Sequence, residues 1–143
     1  MNAHKFLGEY QKINTIIENK LIELEQLKQI ARSVTGGKKD GEKVQAQGNP
    51  QKMADAVVRY IDAENAINDY IDKLIDKKNE IISVIEQLPA DEYDVLHKIY
   101  IQGLKMSEAA KKKKKSYSMI KTCHSEGLKK VEKILEKNFQ NRP

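Results

Sequence analysis

Leu88 to Leu135 reads LPADEYDVLHKIYIQGLKMSEAAKKKKKSYSMIKTCHSEGLKKVEKIL, and its punctuation divides it into three helices. Pro89 opens the first, with Asp91, Glu92 and Asp94 near the positive end of its dipole. Tyr93, Leu96, Ile99 and Tyr100 form its buried face, and Gly103 stops it. A second helix, from about Lys105 to Lys112, offers Met106, Ala109 and Ala110. After a lysine-filled turn Ser116 caps the third, whose apolar side is Ile120, Cys123, Leu128, Val131, Ile134 and Leu135. A short helix, a tight turn and a capped helix are the layout of a helix-turn-helix, with Ala110 where the two helices cross and Ile120 packing back.

In that layout the third helix enters the major groove of duplex DNA. Tyr117, Ser118, Lys121, Thr122 and Ser125 are its candidate base contacts. Lys105, Lys111, Lys112, Lys113, Lys114, Lys115 and Ser116 are candidate phosphate contacts, neutralising the backbone and releasing counterions. The charge distribution points the same way. The net charge of the 143 residues is +5, yet residues 103–143 alone carry twelve Lys/Arg against four Asp/Glu. A basic end on an otherwise balanced chain fits a polyanion, and equally a solvated lysine surface.

Working towards the N-terminus, Met53, Val57, Tyr60, Glu64, Ile67, Ile71, Leu74, Lys78, Ile81, Ile85 and Leu88 hold alternating spacings of four and three, the seam of a long helix. Asn49-Pro50 opens it. An earlier seam runs through Phe6, Tyr10, Ile13, Ile17, Lys20, Leu24, Leu27 and Ala31, with Leu21 able to fill the gap at Lys20 and Gly36-Gly37 as its stop. Residues 34–48, VTGGKKDGEKVQAQG, have no periodicity and read as a flexible connection. Two such stripes bury each other most simply as a long antiparallel hairpin with coiled-coil-like packing. The stripe of the second helix is widened by Ala56, Ile61, Ile75 and Ile82, so a second copy is expected to cover part of it through Ile67, Ile71, Leu74, Ile81 and Ile85. Lys20, Glu64 and Lys78 either set register or oligomeric state, or lie at an edge of little consequence.

The C-terminal run resembles the region-four helix-turn-helix of sigma factors. With YQKINTIIENKLIELEQLKQIARSVT, the Gly-rich gap and NPQKMADAVVRYIDAENAINDYIDKLIDKKNEIISVIEQLP, nearly the whole chain resembles small phage and prophage proteins akin to late-transcription regulators of the RinA and ArpU type. The resemblance implies control of phage gene expression. In the usual module the positions of Lys113 and Lys114 hold an aliphatic residue, which closes the small core, and a glycine in a left-handed turn. A left-handed lysine costs on the order of 1 kcal/mol. The stem of Lys113 is expected to cover apolar surface while its amine reaches water.

Enzymatic constellations are missing from the sequence. Neighbours such as Cys123 and His124 point about 100° apart on a helix, so they do not share a metal easily. Cys123 is expected as a small buried hydrophobe and His124 as a surface or DNA-facing residue, while His4 and His97 have no ligand partners at helical spacing. Neither a phosphate-binding G-x-x-x-x-G-K-S/T loop nor G-x-G-x-x-G occurs. One cysteine excludes an internal disulfide and fits the reducing cytoplasm of a bacterial host, and no stretch is apolar enough for a membrane span.

The expectation is an all-α protein: a long helical hairpin over 1–88 for oligomerisation and a sigma region-four-like helix-turn-helix over 89–143. It would bind specific double-stranded DNA as a homodimer or higher homo-oligomer, with no cofactor, metal, membrane or small-molecule substrate. Two rivals are a DNA-packaging or architectural subunit, and a module that binds RNA polymerase without gripping DNA alone.

Overall fold

The computed structural model describes residues 2–34 and 50–141. These are all-helical: α1 (Ala3–Val34), α2 (Pro50–Ile85), α3 (Ala90–Leu96) continuing into a π-helical turn (His97–Ile101), α4 (Met106–Lys113) and α5 (Tyr117–Gln140). The connection expected over 34–48 lies outside the described residues, apart from Val34 at the end of α1, as do Gly36, Gly37 and Asn49. No helix among the described residues is long and apolar enough to cross a membrane.

Two compact units form, and they do not divide the chain at residue 88. One comprises residues 2–14 and 75–141, the other 15–34 and 50–74. The second unit is built from the adjoining arms of α1 and α2. Lys20 Nζ lies 5.6 Å from the centre of the Tyr70 ring, and the charges of Glu25 and Arg32 reach the phenol of Tyr60. Lys20 sits in the seam itself, half-buried and paired with Glu23 at 3.0 Å, whereas Leu21 is exposed rather than filling the gap. Glu64 accepts a hydrogen bond from the Tyr60 hydroxyl at 3.2 Å. Polar residues interrupt this seam because aromatic neighbours accommodate them.

The first unit gathers the short helices around the start of α1 and the end of α2. Its interior includes Ala3, Leu7, Ile81, Val84, Ile85, Leu96, Val131 and Leu135, and a smaller cluster joins Val95, Ala109, Ala110 and Ile120 with Ile99, Met106 and Cys123. Lys78 caps the Tyr10 ring at 4.8 Å, and Lys77 pairs with Glu9 at 3.4 Å. Helix α5 comes so close to α3 that a Cβ on Gly127 would lie 3.1 Å from Leu96 Cδ1. A glycine inside a helix costs roughly 1 kcal/mol against alanine, and here it makes room for Leu96. Glu92 of α3 is held to Lys130 of α5 at 2.8 Å.

The π-helical turn ends that face of α3 and presents Tyr100. Its hydroxyl lies 2.7 Å from His4 Nδ1 and 2.9 Å from His124 Nε2, with the His124 ring stacked on the phenol. The phenol has one proton to give and lone pairs to accept with, so one imidazole receives and the other donates. Gln11 Nε2 donates to the carbonyls of Tyr100 and Ile101 at 3.1 and 2.8 Å. Thus the first turns of α1 are tied to α3 and α5. His124 is half-buried in this cluster instead of facing outward, because stacking on Tyr100 uses its ring face and the hydroxyl uses Nε2. Burial pushes the Tyr100 hydroxyl up to about 12.

Five side chains expected to meet a second copy are already occupied by their own chain. Ile71, Ile81 and Ile85 are buried, and Ile67 and Leu74 are half-buried. Most of the seam is covered within the two units, although Val57 in it is exposed, and Val58, Ile61 and Ile75 beside it are exposed as well.

Burial and the charge of His4 hold His124 below its ordinary value of 6.5. The unfolded chain therefore binds more protons at this site below pH 6.5, and stability falls as pH drops from there towards the depressed folded value. Asp94, hydrogen-bonded by Lys113 and Lys98, is held below its ordinary 3.8, and its contribution is lost below that value by the same reasoning. Thermal melts from pH 8 to 3 should show two stages of loss. His124→Gln should flatten the first and Asp94→Asn the second; a constant midpoint from pH 7 to 5 would contradict the His124 assignment.

Candidate nucleic-acid interface

The basic end is shaped by how α4 stops. The Lys114 amide donates to the Lys111 carbonyl at 3.2 Å and the Lys115 amide to the Ala110 carbonyl at 3.1 Å. This paired closure is a Schellman motif, and its outer residue takes the left-handed conformation. That residue is Lys114, at φ 54° and ψ 44°, where glycine is the usual occupant. The turn thus keeps the backbone a glycine would give, with the strain of a Cβ. At the other end of α4, the Lys105 amide donates to Glu108 Oε1 at 2.8 Å, half of a capping box.

Two residues later Ser116 starts α5, its Oγ accepting from the Met119 amide at 3.1 Å. One orphan amide of the helix is thereby satisfied. Ile120 is 1% exposed and packs in the cluster with Ala110, so the inward direction of α5 is set by Ile120, Gly127 and Val131. Ser118, Thr122, Ser125 and Lys129 follow at spacings of four, three and four on the opposite side. All four are exposed, as are Tyr117 and Lys121. The five residues expected to touch bases therefore share the outward surface of α5's first turns.

Of the candidate phosphate contacts, Lys105, Lys111, Lys112, Lys114, Lys115 and Ser116 are exposed. Among the described residues no ion pair involves Lys111, Lys112, Lys114, Lys115 or Lys121. The Ser116 oxygen is used by the cap, but its hydroxyl proton is still available to an acceptor.

Lys113 is the exception. Its Nζ lies 2.6 Å from Asp94 Oδ2, and its side chain is only 14% exposed. The opposite oxygen of Asp94 accepts from Lys98 at 2.7 Å. The amine is therefore engaged rather than free, because a carboxylate on α3 faces the last turn of α4. Its side chain is largely covered, and the carboxylate satisfies its charge.

Sequence reasoning missed Asp94 as the anchor of α4, the His4–Tyr100–His124 cluster and the exposed Met119. Gly127 offered a signal, since an isolated glycine in a helix often marks close packing. The partners of Tyr100 lie 96 and 24 residues away and carry no local signature. Among the described residues no three His, Cys, Asp or Glu side chains gather as metal ligands.

Lys114→Gly should raise folding stability by about 0.5–1 kcal/mol, since relief of the left-handed strain exceeds the extra freedom of the unfolded chain. Urea unfolding followed by circular dichroism measures it; a loss of stability would mean that the turn is not strained.

No family model, curated protein or solved structure matches the chain.

Proposed function

We propose that the protein binds specific double-stranded DNA and regulates phage or prophage transcription, with α4 and α5 acting as a helix-turn-helix and the arms of α1 and α2 as a helical hairpin that carries self-association. The observation that supports this best is the outward surface at the start of α5. The hydroxyls of Ser118, Thr122 and Ser125 stand at the spacing of a single helix face with Lys121 at its border, beside a turn whose exposed ammonium groups form no ion pair among the described residues. A recognition helix uses its first turns for base edges, and cations at its border for phosphates.

Lys105 and four lysines of the turn are exposed and form no ion pair among the described residues, whereas Lys113 is engaged by Asp94. Engaging about five phosphates gives a slope of roughly −4 to −5 for log affinity against log salt. Gel shifts over a salt series should show it. Lys111→Ala and Lys112→Ala should weaken all sequences alike and each lower the slope by about 1, whereas Lys121→Ala or Thr122→Ala should relax preference at particular bases. Lys113→Ala should leave the slope unchanged and lower stability instead. Absence of binding to any duplex at low salt contradicts the proposal and favours a module that meets polymerase. Binding confined to a packaging site favours the architectural reading.

Self-association now falls to Ile22, Ile30, Val58 and Ile61, all exposed on the second unit. Apolar surface of this kind is buried when a second copy covers it, and two recognition helices then read a symmetric operator. Light scattering should report a dimer or larger species for the natural chain and a monomer for Val58→Asp with Ile61→Asp, with unchanged helix content. A monomeric natural chain at micromolar concentration contradicts this.

A further inference from the structure

Three side chains from distant parts of the first unit meet at one oxygen, the Tyr100 hydroxyl, 2.7 Å from His4 Nδ1 and 2.9 Å from His124 Nε2. The start of α1 is already anchored by Ala3 and Leu7, both fully buried. What the cluster adds is a hydrogen-bond chain with a fixed number of protons. The hydroxyl donates once, so only one of the two facing nitrogens accepts from it. His4 is exposed and His124 is half-buried, and a positive charge costs less on the ring that water reaches. His4 therefore donates through Nδ1, and the hydroxyl gives its own proton to His124 Nε2. A proton placed on that nitrogen turns the acceptor into a second donor and leaves the hydroxyl proton without a partner.

The surroundings do not offset such a proton. Among the described residues no carboxylate pairs with His124. On α3, Glu92 is held by Lys130 and Asp94 by Lys98 and Lys113, while His97 of the π-helical turn meets Gln102 and the Tyr93 ring. Lys77 and Glu80 of α2 line a hollow beside Leu135, three turns farther along α5. Cys123 packs with Ala109 and Ala110 of α4, and Glu132 of α5 accepts from the Ala3 amide at 3.4 Å. Burial and His4 hold His124 unprotonated below its ordinary 6.5, as the chain of bonds requires. Its neighbours on α5 are Thr122 and Ser125, two of the candidate base contacts. We propose that His4, Tyr100 and His124 form an acid-released clasp: a proton taken up at His124 Nε2 breaks it, loosens the first turns of α1 from α5 and lowers affinity for duplex DNA. Only the last of these steps rests on the proposed duplex binding.

The sign of the effect is diagnostic. Acid charges imidazoles and ordinarily strengthens attraction to phosphate, whereas here affinity falls. The test uses the full chain at fixed salt between pH 7.5 and 5.5. Amide hydrogen exchange of residues 3–11, corrected for its intrinsic pH dependence, should quicken below pH 6.5, while that of residues 60–70 should not. Affinity for duplexes selected from a random pool at pH 7.5, followed by fluorescence anisotropy, should fall by at most about tenfold per pH unit, the limit for one proton. His124→Gln, which still accepts from the hydroxyl but does not titrate, should hold both quantities level. Tyr100→Phe, with unchanged helix content, should show the fast exchange already at pH 7.5. Exchange that does not respond to pH overturns the clasp. Affinity that stays level or rises in acid while exchange quickens overturns its link to DNA. A full acid response in His124→Gln overturns the assignment to His124. Absence of binding to any duplex at any pH overturns the proposed function, and the exchange of residues 3–11 still decides the clasp.

Discussion

Between α4 and α5 the chain reverses over three residues, and the pairing of Lys113 with Asp94 holds the reversal in place. The ion pair ties the last turn of α4 to α3 just before Lys114 enters the left-handed region. Without it, a largely covered lysine side chain would have no partner for its charge. A partly buried, charge-assisted bond gains more than an exposed one, because less water competes for it. The face that α5 turns outward then follows from the burial of Ile120, Gly127 and Val131, with the Ser116 cap fixing where the helix starts.

Stability is given up in the same few residues. A left-handed lysine is strained, and consecutive ammonium groups repel one another. Neither feature improves packing, and four of the five lysines send their stems outward. Natural chains keep such strain where function uses the residue. In the proposed complex a polyanion laid along the turn would relieve the repulsion, so that binding and local stability would reinforce each other there.

How much of this was readable from the amino acids follows from the range of each interaction. The long helices were legible because their seams repeat, with Pro50 at the start of α2 and Ser116 capping α5. The left-handed site at Lys114 was legible by its place in the turn. What escaped depends on distant partners. Nothing near His4 announces Tyr100, and the π-helical turn adds backbone that no spacing of Tyr93, Leu96 and Tyr100 records. The seam isoleucines were legible as apolar but not by whom they would be covered. Ile71, Ile81 and Ile85 pack within their own chain, which leaves Val58 and Ile61 outside. Periodicity identifies a buried face; it does not say which neighbour buries it.

Lys113 and Lys114 show why charge counted along a sequence overstates charge offered to a ligand. They are adjacent in one run of five, yet the helical turn sends the first amine onto a carboxylate and the left-handed residue sends the second outward. One stabilises the turn and the other burdens it. Their electrostatic roles are therefore opposite: neutralising Lys113 leaves Asp94 with only Lys98, while neutralising Lys114 removes repulsion from the run. Counterion release counts only cations that reach phosphate. The relevant charge of this surface is set by Asp94, a residue nineteen positions before Lys113 and on another helix.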